Sequence, residues 1–199
     1  MENYFSKAIF IKTVVDVKEI PSDRKKEILF VGKSNVGKSS LINSLVNNKK
    51  LAHTSSHPGH TKYLNYYLVE DNFYLVDCPG YGFAEKRGRD YKTYGNLVEN
   101  YFKNNEYLKL VVFLLDSRHL PTDDDYDFYQ FLLSTNYKFV LCMTKSDKLN
   151  MSMKAKINKN LKEKFGNLDE NIRVFLTSKD DPRSTSILKK YISDILEEN

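Results

Sequence analysis

The sequence contains few cysteines and no hydrophobic stretch long enough to cross a membrane. Cys78 and Cys142 lie in separate predicted strands without C-x-x-C spacing, so neither a disulfide framework nor a zinc site is indicated. No apolar run approaches the roughly 18 residues of a membrane span, and the N-terminus lacks the charged-then-apolar layout of a signal peptide. We therefore expect a cytoplasmic protein with no membrane association, whose cysteines are small core residues.

Charge of one sign is not in large excess either. The chain contains 31 Lys and Arg residues and 26 Asp and Glu residues, which gives a formal net charge of +5. So mild an excess permits a polyanionic partner such as nucleic acid without demonstrating one. With 199 residues, of which 41% are hydrophobic, the chain is long enough to bury one sizeable core.

One stretch fits a phosphate-binding loop. Residues 32–39, GKSNVGKS, match G-x-x-x-x-G-K-[ST] between an apolar run at 28–31 and a helical pattern at 41–46. Backbone N–H groups of such a loop surround the β-phosphate, its lysine reaches the β and γ phosphates, and its serine hydroxyl binds Mg²⁺. The alternative is a glycine-rich strand–helix turn without a ligand. The residues expected there are Gly32, Lys33, Ser34, Asn35, Val36, Gly37, Lys38, Ser39 and Ser40.

Strand and helix patterns alternate along the rest of the chain. Six strands are predicted, and the hairpin formed by 63–69 and 73–76 makes one of them antiparallel. The alternation predicts an α/β fold with a mostly parallel sheet, helices on both faces, and ligand loops at the carboxyl ends of the strands. Residues 1–26 are interpreted as an extended lead-in to a domain at 27–199. Thr122 and Asp125 indicate a helix capping box, which we favour over a metal cluster for the acids 123–125.

Asp77-Cys78-Pro79-Gly80 is a D-x-x-G sequence directly after a predicted strand. An Asp in this place holds Mg²⁺ through water, and the Gly N–H meets a γ-phosphate. The polar loop at 47–62 offers Thr61 as a metal ligand that is engaged only while the γ-phosphate is present. Thr61 as an ordinary turn residue is the alternative.

Thr144-Lys145-Ser146-Asp147 follows another strand and matches [NT]-K-x-D. A carboxylate can accept hydrogen bonds from both N1–H and the 2-amino group of guanine, while a lysine stem covers the base. Adenine offers neither donor in that geometry, so such a site discriminates strongly. A surface turn is the alternative. Thr177, Ser178 and Lys179 end the last strand, where a base-side loop would donate backbone N–H groups.

Together these residues resemble the TRAFAC small GTPases, and most closely the EngB (YihA/YsxC) family of bacterial GTP-binding proteins. The resemblance covers roughly residues 5 to 196, through the segments at 27–43, 58–61, 77–84, 116–119 and 144–149. It implies a three-layer P-loop GTPase fold and binding of GTP, GDP and Mg²⁺, with Gly59, His60, Thr61 and Lys62 beside the nucleotide. It also implies a role in assembly of the large ribosomal subunit and in cell division and septation, and we expect a monomer. His60 and the acids at 180–181 depart from the family pattern.

The expected catalytic residues are Lys38, Thr61 and Gly80, with Ser39, Thr61 and Asp77 at the metal. Tyr81 replaces the water-orienting glutamine of Ras-type enzymes, so we expect slow hydrolysis without an activator. In GTPases that this chain resembles, an asparagine at the place of Asn35 helps hold K⁺, which makes K⁺ a second candidate cation.

Two other functions stay open: a P-loop ATPase or kinase, and an RNA-binding module independent of nucleotide. If the protein is a ribosome-assembly GTPase, basic loops at 54–62 and 81–89 are expected to dock on ribosomal RNA or protein when GTP orders them. Tyr81 and Phe83 would then be available for stacking. Lysines at 154, 156, 159 and 162 would add phosphate contacts.

Overall fold

The computed structural model of the protein describes residues 5–53, 63–81, 89–103 and 105–198. Within these ranges five helices pack on a seven-stranded sheet. The strands are β1 (Ala8–Val14), β2 (Lys26–Gly32), β3 (Leu64–Val69), β4 (Phe73–Asp77), β5 (Leu108–Asp116), β6 (Phe139–Thr144) and β7 (Val174–Leu176). The helices are α1 (Lys38–Leu45), α2 (Arg89–Phe102), α3 (Asp123–Leu133), α4 (Met151–Phe165) and α5 (Pro182–Glu197).

The strands follow the order β1-β3-β4-β2-β5-β6-β7. β3 pairs antiparallel with both β1 and β4, whereas the pairs from β4 to β7 are parallel. The predicted α/β fold with one antiparallel strand is confirmed, but the expected count of six strands is wrong. The seventh is β1, which lies in the supposed lead-in. Its pattern was irregular because β1 is an edge strand, largely exposed, with a register shift between Phe10 and Lys12.

Both faces of the central strands are buried, because successive side chains of a strand point to opposite faces. Ile28 and Phe30 of β2 pack with α1 and α5 side chains, including Ile42 and Ile192. Leu29 and Val31 pack on the other face with residues of α2, α3 and α4. All four β2 side chains are fully buried, and each contributes roughly 1.5–3 kcal/mol of hydrophobic free energy. This arrangement gives the predicted three layers.

The helix ends follow their sequence signals. α3 begins with the predicted capping box, in which Thr122 Oγ1 accepts from Asp125 N and the Asp125 carboxylate accepts from Thr122 N. Cys78 and Cys142 are buried free thiols, as expected. Among the described residues, every helix is too short or too polar to traverse a lipid bilayer. β2, β4, β5 and β6 end at one edge of the sheet, and the predicted motifs follow these ends.

Candidate nucleotide-binding site

The loop between β2 and α1 requires glycine at both ends. Gly32 has φ 154°, and a Cβ there would lie 2.6 Å from the Leu114 carbonyl oxygen. Gly37 has φ 113°, a conformation that side chains rarely adopt. Asn35 also lies in the left-handed region, at φ 63°, which asparagine tolerates better than most residues. These glycines therefore shape the backbone of the predicted phosphate-binding loop.

Lys38 lies across this loop instead of extending into solvent. Its side chain is buried, and Nζ donates to the carbonyl oxygens of Gly32 at 3.1 Å and Lys33 at 3.4 Å. Burial lowers the pKa of Lys38, while the Asp77 carboxylate opposes the shift. A buried ammonium satisfied mainly by neutral carbonyls is well suited to an anionic ligand, because a phosphate oxygen would form a stronger, charge-assisted bond.

Asp77 and Ser39 form a compact set of oxygen atoms beside Lys38. Ser39 Oγ donates to Asp77 Oδ2 at 2.9 Å. Asp77 is 1% exposed, and its Oδ1 has no hydrogen-bond partner among the described residues. Burial raises the pKa of Asp77, although Lys38 and Ser39 act in the opposite direction. An unpaired carboxylate oxygen next to a hydroxyl fits a hard cation such as Mg²⁺, either directly or through water.

The D-x-x-G segment touches the phosphate-binding loop. A Cβ on Gly80 would lie 2.7 Å from both Cα and N of Ser34. Ser34 N donates to Tyr81 O at 3.1 Å, and Ser34 Oγ donates to Gly80 O at 3.3 Å. The preceding Cys78 and Pro79 are buried. Gly80 is therefore required for the close approach of the two loops.

Tyr81 is part of the core, contrary to the expectation that it would be available for stacking. Its hydroxyl donates to Asp125 Oδ1 at 2.6 Å, and its ring stacks on Phe128 with 5.3 Å between centroids. The side chain is 7% exposed. Stacking fixes the ring of Tyr81 and the hydrogen bond fixes its hydroxyl, so the whole side chain is positioned by the core. The same prediction for Phe83 lies outside the described residues.

Thr144 and Lys145 connect the base-side loop to the phosphate-binding loop. Thr144 Oγ1 donates to Val36 O at 2.6 Å and is also within reach of Leu115 O, so this hydroxyl lies inside the protein. Lys145 Nζ donates to Asn35 O at 2.9 Å and to Asp116 Oδ2 at 2.7 Å. Lys145 therefore lies over the loop that the sequence assigns to phosphates, as a residue covering a bound base would.

Asp116 is a positioning residue that the motif analysis did not assign. Its carboxylate binds Lys145 and also Arg118, whose Nη2 lies 2.7 Å from Oδ2. Burial favours the neutral acid, but the bonds from Arg118 and Lys145 outweigh it and hold the pKa of Asp116 well below its usual range. Its position at the carboxyl end of the apolar strand β5 was the sequence feature that could have indicated a place at the site.

Asp147 is held by the loop after β7. Ser178 Oγ donates to Asp147 Oδ1 at 2.8 Å, and Lys148 Nζ lies 3.1 Å from Oδ2. Burial opposes ionisation, but the bonds from Ser178 and Lys148 lower the pKa of Asp147. Thr177 Oγ1 contacts the buried Cys142 Sγ at 3.2 Å, so its side chain does not face the site.

The structure brings most of the predicted residues together at the carboxyl edge of the sheet. Ser146 N donates to Thr177 O at 3.1 Å, which ties the two base-side loops to each other. Lys179 is exposed, and Ser40 lies in the first turn of α1. Predictions for Gly59, His60, Thr61 and Lys62 fall outside the described residues.

Comparison with known proteins identifies the class to which this fold and site belong. Residues 27–145 match a family described as 50S ribosome-binding GTPase, which spans the phosphate-binding loop, the D-x-x-G segment and the start of the base-side loop. The protein is therefore a P-loop GTPase.

Individual relatives give the family. The chain is 46% identical over 155 residues to the probable GTP-binding protein EngB of Clostridium kluyveri, covering 78% of this chain and 77% of that protein. It is 42% identical over 193 residues to the protein of that name in Petrotoga mobilis, covering 97% of both. This chain belongs to the EngB family of GTP-binding proteins, which confirms the sequence-based prediction.

Solved structures agree on the fold. A crystal structure of a probable GTP-binding protein EngB has a TM-score of 0.68 and 23% identity, covering 87% of this chain and 99% of that chain. A structure of Era in complex with MgGDPNP and a segment of 16S ribosomal RNA has a TM-score of 0.60 and 20% identity, covering 86% of this chain and 56% of the Era chain.

Proposed function

We propose that this GTPase acts in assembly of the large ribosomal subunit, binding the subunit in its GTP-bound state. As a consequence of that role, we propose that it is needed for normal cell division and septation, and that it works in the cytoplasm as a monomer. The family description supports the ribosomal partner, and the related fold of Era, solved with ribosomal RNA, supports an RNA contact. The observation that carries the nucleotide chemistry is the convergence of Lys38, Asp77 and Asp147 at one sheet edge.

We assign the roles at the phosphates as follows. Lys38 would exchange its carbonyl partners for β- and γ-phosphate oxygens, and Ser39 and Asp77 would hold Mg²⁺. Magnesium, when bound, neutralises the charge that develops on the transferred phosphoryl group. The Gly80 N–H would meet the γ-phosphate. Asp77 Oδ1 supports this assignment, because it is a buried acceptor that receives no hydrogen bond from the described part of the chain, and such an atom requires a partner.

Hydrolysis is proposed to be slow without an activator. Positioning of the attacking water is a large part of what phosphoryl transfer requires from a protein. The side chain that follows D-x-x-G is Tyr81, and its hydroxyl is engaged by Asp125. This side chain therefore does not orient water, and the activator would have to supply that function.

The GTP dependence of binding is assigned to the segments 54–62 and 81–89, which lie largely outside the described residues. Both flank elements of the site: the first precedes β3, and the second begins at Tyr81, next to Gly80. A γ-phosphate that orders them would present a basic surface. The basic residues concerned are His57, His60, Lys62, Lys86, Arg87 and Arg89.

Cosedimentation with purified large subunits tests this proposal. A GTP analogue should strengthen binding relative to GDP, and Lys86→Gln/Arg87→Gln/Arg89→Gln should weaken it while GTP affinity is retained. The matched control, Lys18→Gln/Lys103→Gln/Lys190→Gln, removes three exposed charges on other elements and should bind like the wild type. Binding that is indifferent to nucleotide and unchanged by Lys38→Ala would instead favour an RNA-binding module independent of nucleotide.

A further inference from the structure

Most of the excess positive charge of the chain lies on one helix. α4 contains five lysines and one glutamate, a net of +4 compared with +5 for the whole protein. The neighbouring α3 contains four aspartates and no basic residue. α5 has three basic and two acidic residues. α4 is therefore a local concentration of positive charge.

Four lysines of α4 face solvent. Ile157, Leu161 and Phe165 bury one side of the helix, and Phe165 stacks on Tyr129 of α3 with 4.4 Å between ring centroids. The opposite side and the first turn carry four exposed lysines, and within the described part of the chain none of the four forms an ion pair or hydrogen bond through its ammonium group. We call this surface the α4 lysine face: Lys154, Lys156, Lys159 and Lys162.

The fold does not account for this arrangement. Lys156, Lys159 and Lys162 follow one another at intervals of three residues, and like charges at this spacing destabilise a helix by roughly 0.2–0.5 kcal/mol per pair. Lys154 lies in the first turn, where the helix dipole disfavours a cation and where α4 has no acidic residue. The fifth lysine of α4, by contrast, has a partner within the fold, because Lys164 forms an ion pair with Asp123 of α3.

We propose that the α4 lysine face is a docking surface for the phosphate backbone of RNA. Lysine presents a mobile point charge and lacks the planar fork of arginine, so the face would read charge and not base sequence. Because α4 is a 15-residue helix with a rise of about 1.5 Å per residue, Lys156, Lys159 and Lys162 span about 9 Å along the helix axis, in a row that winds around the exposed side. Such a row can follow a chain of phosphates.

Other polyanionic partners fit the face less well. Ser152, Ala155 and Asn158 lie among the lysines, so the face has no large apolar side chain to insert into a lipid surface. A protein partner would require a buried aromatic or aliphatic anchor at the centre. The exposed Met151 and Met153 lie in the first turn of the helix, beside Lys154. An apolar anchor there would engage one end of the face and not its centre.

The inference rests on the proposed function for the source of the RNA, but it predicts a contact of a different kind. The face lies on a packed helix and not on the segments 54–62 and 81–89. Its contribution to RNA affinity should therefore be the same with GTP and with GDP. The nucleotide dependence of subunit binding and the contribution of α4 to RNA affinity are measured separately. Either proposal can therefore be contradicted while the other holds.

The test compares Lys156→Gln/Lys159→Gln/Lys162→Gln with the control Lys18→Gln/Lys103→Gln/Lys190→Gln in the full chain. The probe is a fluorescent RNA duplex of about 20 base pairs, titrated at several salt concentrations. Each lysine that contacts a phosphate contributes about 0.9 to the slope of log K against log salt. The α4 variant should therefore lose about 2 to 3 units of slope and at least tenfold in affinity. The control should retain the wild-type slope, and thermal unfolding should be similar for both variants.

Equal slopes for the α4 variant and the control would overturn the proposal. The proposal would also be overturned if the α4 variant kept the RNA affinity of the wild type but lost binding to phosphatidylserine vesicles. That result would assign the face to a membrane. In cosedimentation with large subunits, the α4 variant should weaken binding by the same factor in GTP analogue and GDP. If the wild type shows no nucleotide dependence but the α4 slope still falls, the proposed gating fails and the α4 contact stands.

Discussion

At the scale of single residues, neighbouring side chains set the charge of Asp147, the carboxylate that we propose binds guanine. The bonds from Ser178 and Lys148 lower its pKa against the effect of burial. The carboxylate is therefore ionised at neutral pH and acts only as a hydrogen-bond acceptor. Guanine presents two adjacent donors, so an acceptor pair with a fixed orientation matches it, whereas the edge of adenine does not.

Asp147→Asn tests this reading of the base-side loop. The substitution exchanges one acceptor for a donor, so we expect GTP affinity to fall by roughly 100-fold, since an unmatched buried polar group costs about 1–3 kcal/mol. Xanthine nucleotides should be preferred instead. Calorimetry with GTP, XTP and ATP measures the change. Ser178→Ala serves as the control and should weaken GTP without changing the order of preference. Unchanged GTP affinity in Asp147→Asn, or equal affinity of the wild type for ATP, would contradict the assignment.

Asn35 allows a similar test for K⁺. The residue has φ 63°, a conformation that asparagine adopts readily, so backbone geometry alone is a sufficient reason for it. If the amide also helps hold K⁺ near the phosphates, GTP turnover should be several-fold faster in K⁺ than in Na⁺. Asn35→Gly keeps the backbone conformation and removes the amide, so it should abolish that difference without loss of nucleotide binding. Equal rates in both salts for the wild type would leave Asn35 a purely conformational role.

At the scale of secondary-structure elements, Glu27 joins β2, β3 and α2 at the end of the sheet opposite the nucleotide site. Its Oε2 accepts from Tyr101 at 2.5 Å, Asn105 at 3.1 Å and Tyr66 at 3.3 Å. Burial raises the pKa of Glu27, and these three bonds offset only part of the shift. The carboxyl group therefore binds its proton more tightly in the folded protein than in the unfolded chain.

This shift predicts the sign of a pH effect on stability. An acid with a raised folded pKa contributes most favourably below its unfolded pKa of about 4.3, and that contribution is lost as the pH rises toward the folded pKa. Glu27→Gln keeps an acceptor oxygen and removes the ionisation. Relative to the wild type, the free energy of unfolding of the variant should thus increase with pH above about 4.3. Urea unfolding between about pH 4 and pH 8 measures this difference, and parallel curves would contradict it.

The elements also show what sequence patterns can predict. The runs at 28–31 and 110–115 are apolar throughout because both faces of β2 and β5 are covered, and such runs are easily recognised. β1 was not recognised as a strand of the sheet, because its side chains are mostly exposed and its register is interrupted. Motif spacing predicted that Lys38, Asp77 and Asp147 lie at or after the carboxyl ends of β2, β4 and β6, which is where the structure has them, while their roles toward a nucleotide stay predictions.

Contacts between distant parts of the chain were beyond the reach of those patterns. The bond from Ser178 to Asp147 joins residues 31 apart, and that from Tyr81 to Asp125 joins residues 44 apart. Thr144 matched the base-side motif, yet its hydroxyl binds the Val36 carbonyl inside the protein. A motif specifies which residue types the chemistry needs, whereas the partner of each side chain depends on how the elements pack.

At the scale of the whole molecule, the sheet separates two kinds of residue. The parallel strands place the candidate nucleotide site at their carboxyl ends, and Glu27 lies near the amino end of β2. Substitutions at Glu27 should therefore change stability more than nucleotide affinity. The measurement that checks this is unfolding without nucleotide together with GTP titration of the same variant.

β1 has a consequence for how copies of the protein behave in concentrated solution. Among the described residues it forms an outer edge of the sheet, with Ile9, Phe10 and Ile11 exposed. Such an edge invites pairing with the edge of another molecule, which leads to aggregation. The register shift between Phe10 and Lys12 and the charge of Lys12 both oppose a regular intermolecular ladder. Lys12→Val should therefore increase light scattering on concentration without changing nucleotide affinity, since β1 is remote from the phosphate-binding loop.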